Sequence, residues 1–493
     1  AVLKRTAHCL DILLAAVDAL LSQQSNNFFI IFAVRMRLLQ YTPYYKRLLK
    51  LALPVIVAQA GQLTTQFADT AMVGQYGGED PVPLAAVSLG SSLFLLIYLA
   101  ALGLAMAITP LVGEHYARGN RRRVGHLFQN GIVYSLAIGV VGTAIALALR
   151  PFISVLGEWM SSPGESVEAV AEMALPYYDM LVWSIMPLMA FLAVKQFLEG
   201  IGNTKIAMWI TLMGNIANVA LNYIFIFGKC GIEPMGAEGA GLATLLSRVG
   251  QMGAIIAVFF LWKRLRIYRT FFSRKAVTLK HISSLIKIGF PISFQMILES
   301  AAFILTSILA LSFGKVAAGS MQVAFSIANI AWMITVAIGS ASTILVSHIH
   351  GNRHTKELRP TVAATYHLGL LWATLMAIVF VTLRQPIAAI FTDNAEVIAL
   401  TAELMLLIAI YQFSDSVQGL SISMMRGMQD VKIIMPIVLC SYLVLNIPIG
   451  VLLAYHFDMG CHGLVVGLIV GLSSAALMTA LRLRKRVALA EKK

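Results

Sequence analysis

Twelve stretches of about 20 or more predominantly apolar residues alternate with short polar connections along this chain. They fall at residues 48–75, 82–110, 124–149, 169–198, 204–227, 236–262, 281–311, 316–346, 358–383, 394–424, 430–456 and 460–483. A bilayer core about 30 Å thick is crossed by about 20 helical residues. In lipid, a helix satisfies its own backbone N–H and C=O groups. The pattern therefore predicts an all-α polytopic membrane protein with twelve transmembrane helices. Composition agrees: of 493 residues 59% are apolar and 12% charged, against about 25% charged in soluble domains, and mean hydropathy is +0.81.

The net charge of +14 argues for orientation rather than for nucleic acid, because the cations occupy alternate short loops as the positive-inside rule requires. Arg118, Arg121, Arg122 and Arg123 separate the second and third stretches, Lys263 to Lys280 carry seven cations between the sixth and seventh, and Arg482, Arg484, Lys485 and Arg486 follow the twelfth. The intervening loops hold Glu79, Asp80, Glu158, Glu165, Glu233 and Asp393. Both ends of the bundle are expected in the cytoplasm, with the protein in the inner membrane. Residues 1–35 fit less well. Asp11 and Asp18 interrupt the first apolar run, 28–34 is too short to span, and the first methionine is Met36. An unordered extension or an upstream translation artefact is expected there, with an amphipathic helix on the cytoplasmic leaflet as the competing reading. Cys9, Cys230, Cys440 and Cys461 show no metal spacing, and ordinary thiols are expected rather than a Cys230–Cys461 bridge.

An internal repeat organises the rest. Leu53-Pro54 and Phe290-Pro291 open the first and seventh stretches. Leu111-Val112 with Gly119-Asn120 is echoed by Leu345-Val346 with Gly351-Asn352, Gly200 and Lys205 by Gly427 and Lys432, and Gly236 and Gly239 by Gly460 and Gly463. An even number of helices per copy gives both copies the same topology, related by an axis along the membrane normal. The expected plan has a terminal extension at 1–45, an N-terminal lobe at 46–262 and a long, charged, flexible linker at 263–280. A C-terminal lobe at 281–484 and a tail at 485–493 complete it. Two lobes with pseudo-twofold symmetry around a central cavity suit a transporter that rocks one lobe against the other.

At these residues the chain resembles a known family. Leu53-Pro54, Gln59, Gln62 and Asp69-Thr70 with Met72-Val73-Gly74, the acid in Phe294-Gln295-Met296-Ile297-Leu298-Glu299, and Ile410-Tyr411-Gln412-Phe413-Ser414-Asp415-Ser416-Val417-Gln418 look like the NorM branch of the multidrug and toxic compound extrusion (MATE) transporters. Met425-Arg426-Gly427-Met428-Gln429-Asp430 and the run 471–478 extend the match to about residues 40–485. The resemblance implies an antiporter that expels bulky cationic and aromatic compounds in exchange for Na⁺ or H⁺, with no cofactor beyond the coupling ion.

The residue chemistry points the same way. Asp69, Glu299 and Asp415 lie deep in apolar stretches, where an ionised acid costs about 2.5–3.5 kcal/mol and so faces a partner or a watery cavity. Tyr411 and Asp415 are four apart and share a helix face, as do Gln295 and Glu299. Convergence of Glu299, Asp415 and Tyr411 on one cation is expected. Hard oxygens suit Na⁺, and paired carboxylates suit a proton. By resemblance this group is the family's cation site. Gln62, Thr65 and Gln66 precede Asp69 on its helix, and Asn215, Asn218 and Asn222 form a stripe on the fifth. In related transporters Asp69, Asn218 and Asn222 match a polar site tied to proton or drug coupling; the alternative reading is interhelical glue.

Other functions are harder to support. No G-x4-G-K-[ST] loop is present for an ATP-driven pump. His115, His126, His348, His350 and His354 read as solvated loop residues rather than metal ligands, and no role is assigned to Asp179, Arg248 or Glu403. A lipid or lipid-linked oligosaccharide flippase shares the two-lobe plan but lines its cavity with cations, whereas the interior charges here read as acidic. Cationic drugs and the bilayer are the expected partners of a monomer.

Overall fold

The computed structural model describes residues 40–78, 80, 82–153, 155 and 167–492; the expectation for 1–35 lies outside them. By contacts the chain divides into residues 1–47 and 48–493. Among the described residues, twelve helices are long and apolar enough to cross a membrane: α1 (Thr42–Gly77), α2 (Val82–Ala117), α3 (Arg121–Leu149), α4 (Ala169–Gly200), α5 (Thr204–Phe227), α6 (Gly236–Leu261), α7 (Leu279–Leu311), α8 (Lys315–Asn352), α9 (Thr355–Thr382), α10 (Ala395–Gly427), α11 (Ile434–His456) and α12 (Gly460–Glu491). No strand occurs among the described residues.

Prolines explain where helices depart from regular winding. Pro110 lacks an N–H, and its ring would strike the carbonyl of Met106; α2 breaks into Val82–Ala105 and Ile108–Ala117. Pro187 acts likewise on Trp183, and α4 breaks at Ser184. Pro448 lies four residues after Val444, inside a π-helical stretch at Cys440–Asn446; a wider turn relieves the same clash.

The two halves repeat one packing scheme. In the first, α2, α3 and α6 pack on α4, and α5 packs on α6; in the second, α8, α9 and α12 pack on α10, and α11 packs on α12. Two six-helix lobes result, joined where α7 lies along α2 and the end of α8 lies against the end of α2. Small residues permit this approach. A Cβ on Gly103 would run into Ser293 Cα, and one on Gly351 would run into the Glu114 carbonyl oxygen. The repeat also sets backbone conformation: Gly202 and Gln429, each two residues past the repeated glycines, both adopt positive φ (80° and 58°).

Several expectations need correction. The 263–280 segment is not a flexible tether. It forms a helix at Lys263–Arg269 with Leu265 and Tyr268 buried, and a turn at Arg274–Ala276. Two side chains of α3 hold it: Gln129 bonds both the N–H and the carbonyl of Ser273, and Asn130 bonds the Ala276 carbonyl and the Thr278 N–H. Charge suggested a loose chain, but apolar Leu265, Tyr268 and Ala276 at intervals are enough to dock it. The expected tail instead continues α12 to Glu491, and residues 42–45, assigned to the extension, begin α1. Gly351 is interior to α8; the left-handed residue matching Gly119 is Arg353. The histidines are not all solvated: the His348 ring contacts the Gly200 carbonyl at 2.7 Å, and His115 Nδ1 is buried. Cys230, Cys440 and Cys461 are free thiols.

Candidate functional site

In the C-terminal lobe, α7 presents Gln295 and Glu299 one turn apart, and α10 presents Tyr411, Asp415, Gln418 and Arg426 at steps of four, three and eight along one face. The Tyr442 hydroxyl, from the π-helical part of α11, donates to Glu299 Oε1 at 3.0 Å. Gln418 Nε2 lies 3.0 Å from the Tyr442 hydroxyl and 3.5 Å from the same carboxylate oxygen. Gln295 donates to Glu299 Oε2 and accepts from Arg426 Nη2. The result is a continuous polar chain, Arg426–Gln295–Glu299–Tyr442–Gln418, crossing three helices.

Asp415 sits beside this chain rather than in it. It is 2% exposed, its charge interacts with Glu299 and Tyr411, and among the described residues its Oδ2 has no hydrogen-bond partner. Gln412, fully buried one turn earlier, has neither amide atom partnered. Orphaned buried polar atoms each cost about 1–3 kcal/mol, so this face is built to receive something. Tyr411 packs its ring edge-on to Phe303 with centroids 6.4 Å apart, giving the cluster an aromatic wall.

The expected members Gln295, Glu299, Tyr411 and Asp415 are therefore brought together, with Tyr442, Gln418 and Arg426 added. Gln418 and Arg426 were not assigned to the site from the sequence, although both share the helical face of Asp415, the one signal that could have offered them. Tyr442 gave no such signal, because its register depends on the π turn.

Replacing Tyr442 with Phe removes one donor from Glu299 without changing shape. A hydrogen bond to a charged group is worth about 1.5–3 kcal/mol. The half-saturating concentration of the coupling cation in transport assays is expected to shift about tenfold or more while expression is unchanged; an unaltered value would remove Tyr442 from the site.

In the N-terminal lobe, Asp69 of α1 meets the α5 stripe. Asn222 Nδ2 donates to its Oδ1 and lies 3.3 Å from Asn218 Oδ1. Asn218 in turn reaches Thr244 and Ser247 of α6, both at 3.5 Å. Gln62 does not complete this cluster. It lies two turns earlier on α1, where Gly61 packs against Asn215, and Thr65 bonds back to Gly61 of its own helix. The missed member is Arg248 of α6, whose charge acts on Asp69. It donates to Ser184 at the break in α4 and stands 5.3 Å over the Phe94 ring. Its place one turn after Thr244 was visible, but an isolated arginine gave no sign of which acid it faced. Asp179 pairs with Arg150 and Glu403 with His462, both at exposed positions.

The expectation of a purely acidic interior is thus corrected: each cluster contains an arginine. The two clusters nevertheless differ in balance. Asp69 faces one arginine, whereas of the two C-lobe acids only Glu299 does, which leaves the Asp415 carboxylate in excess when all are ionised. Among the described residues no group of three His, Cys, Asp or Glu side chains could hold a metal ion. Any bound Na⁺ therefore takes carboxylate oxygens together with amide, hydroxyl or backbone oxygens.

The MatE family model matches residues 54–224 and again 291–452, one match per lobe. The chain is 31% identical over 444 residues to the multidrug resistance protein NorM of Photobacterium profundum, covering 89% of this chain and 95% of that one. Among solved structures, the eukaryotic MATE transporter AtDTX14 superposes with a TM-score of 0.81 at 18% identity, covering 92% and 99% of the two chains. A point mutant of the Vibrio cholerae MATE transporter VcmN superposes with a TM-score of 0.79 at 21% identity over 91% and 98%. Matched in both lobes and across most of its length, the chain belongs to the MatE family of membrane transporters.

Proposed function

We propose that this transporter is a secondary active antiporter that expels cationic, aromatic compounds in exchange for Na⁺ or H⁺ entering at Glu299 and Asp415. One observation carries the reading: Asp415 is buried beside Glu299, the only arginine acting on the pair acts on Glu299, and among the described residues Asp415 Oδ2 has no hydrogen-bond partner. A cation neutralises the excess charge and supplies the missing contact. Membership among transporters, not enzymes, and 31% identity to a protein named for multidrug resistance support drugs as the cargo. Asp69, Asn222 and Arg248 form a balanced second cluster suited to coupling drug or proton movement to the N-terminal lobe. The working unit is a monomer whose basic loops face the cytoplasm, in an inner membrane.

Purified protein in proteoliposomes, given an imposed Na⁺ gradient and an imposed pH gradient separately, tests this. At least one gradient is expected to drive uptake of a fluorescent cation against its concentration, and the effective gradient names the ion. Uptake indifferent to both would defeat the antiport reading. A flippase would instead move labelled lipid in the same vesicles.

A further inference from the structure

Away from both acid clusters, a cavity of about 690 Å³ opens among the basic ends of the N-terminal lobe. Five cations line it: Lys50 of α1, Arg121 of α3, Lys205 of α5, and Lys263 and Arg264 of the connecting helix. Among the described residues none of the five has a carboxylate partner, whereas Arg118, Arg150, Arg482 and Arg486 are each ion-paired. The positive-inside rule accounts for cations scattered over convex loops. It does not account for five converging on one concavity. All five are exposed, and several positive charges lining one concavity favour an anion there.

Two further features define that anion. Gly202, Asn203 and Thr204, at the start of the 24-residue helix α5, also line the cavity; the Asn203 side chain caps the Ile206 N–H, and the remaining first-turn N–H groups and the helix dipole offer partial positive charge to a phosphate. The rim is apolar on one side. Trp262 lines the cavity at the end of α6, and the two residues before it, Phe260 and Leu261, are 62% and 79% exposed. A tryptophan with exposed apolar neighbours marks the level where headgroups meet acyl chains. A soluble phosphate uses the cations but not this rim.

We propose that the cavity binds the headgroup of an anionic phospholipid, its phosphate held between Lys205, Arg264 and the α5 N-terminus, its acyl chains against Phe260 and Leu261. Basic pockets between membrane helices on the cytoplasmic side commonly serve such headgroups. Because the cations belong to α1, α3, α5 and the connecting helix, the lipid ties together elements that pack only partly against one another.

The test uses the full chain in mild detergent, titrated with phosphatidylglycerol or phosphatidylcholine and read by native mass spectrometry. Wild type is expected to retain phosphatidylglycerol in preference to phosphatidylcholine. The double variant Lys205→Gln/Arg264→Gln should bind phosphatidylglycerol about tenfold or more weakly, at about 1 kcal/mol per cation. A control of equal charge loss on the other lobe, Lys356→Gln/Arg359→Gln at two exposed positions, should bind as wild type does. Drug transport by both variants confirms that they are folded. Equal weakening in the control would reduce the effect to general electrostatics and overturn the site. Equal retention of the two lipids would overturn it as well. Displacement of phosphatidylglycerol by inorganic phosphate at similar concentration would reassign the cavity to a soluble anion.

Discussion

Glu299→Gln and Asp415→Asn are each expected to lower drug efflux to that of cells carrying no transporter, with normal amounts of protein in the membrane. Both substitutions keep side-chain size and remove one charge. At Glu299 the loss is compound. The carboxylate accepts from Tyr442 and Gln295, so an amide there turns a donor toward donors and leaves Arg426 uncompensated. Breaking a buried charge network in this way costs about 3–5 kcal/mol, which would be about two to four orders of magnitude in cation affinity. At Asp415 the change removes the acid whose oxygen lacks a partner, and with it the excess negative charge. Glu403→Gln serves as the control, because Glu403 pairs with His462 at an exposed position; its export should be unchanged. Accumulation of a fluorescent cation, normalised to membrane protein, gives the answer. Efflux near wild type from both C-lobe variants would shift coupling to Asp69 and Arg248.

Gly351→Val is expected to abolish transport by a different route. The added Cβ would collide with the Glu114 carbonyl oxygen and stand 2.9 Å from its carbonyl carbon. No side chain can move aside to relieve that contact. Neighbouring contacts across the same seam, Arg118 to the Gly351 carbonyl at 3.3 Å and Gln429 to Glu114, would also be lost. The ends of α2 and α8 should then stay apart and the alternation should stop in one state. Spin labels at Arg122 and Lys356, both exposed, would report the separation in membranes. Wild type should show two populations whose ratio shifts when a cationic drug or a cation gradient is applied, since a ligand moves such an equilibrium by its differential affinity for the states. The variant should show only the longer one. Gly319→Ala, where the nearest neighbour atom is 3.9 Å away, should leave both transport and distances intact. A Gly351→Val protein that transports normally with an unchanged distance would rule out rocking at this seam.

Much of this was legible in the sequence because a bilayer imposes a one-dimensional code. Helix α5 runs over 204–227 as its apolar run dictates, and each of the twelve apolar windows coincides with a helix, although α1, α2, α8 and α12 run six to eight residues beyond their windows at one end. Misreadings cluster where the physics is not one-dimensional. The 263–280 segment looked loose because cations dominate its composition, yet three buried apolar residues and the Gln129 and Asn130 side chains dock it. Arg248 and Arg426 could not be matched to acids on other helices, since their partners are fixed by helix rotation and packing. The acids themselves stood out because their cost in lipid is intrinsic to the residue type. Tyr442 was hidden for a third reason: Pro448 changes the winding of α11, so a period of 3.6 assigns its ring to the wrong face.

The docked connector has a mechanical consequence. Asn130 of α3 holds the chain as far as Thr278, and α7 starts at the next residue. Almost no slack remains in this connection, so any turn of the halves would have its pivot here rather than on a loose leash. Helix α7, with 33 residues, is then a lever about 50 Å long at 1.5 Å per residue. A rotation of a few degrees about that anchored end would carry its far end through several ångströms, with the fulcrum built into the polypeptide itself.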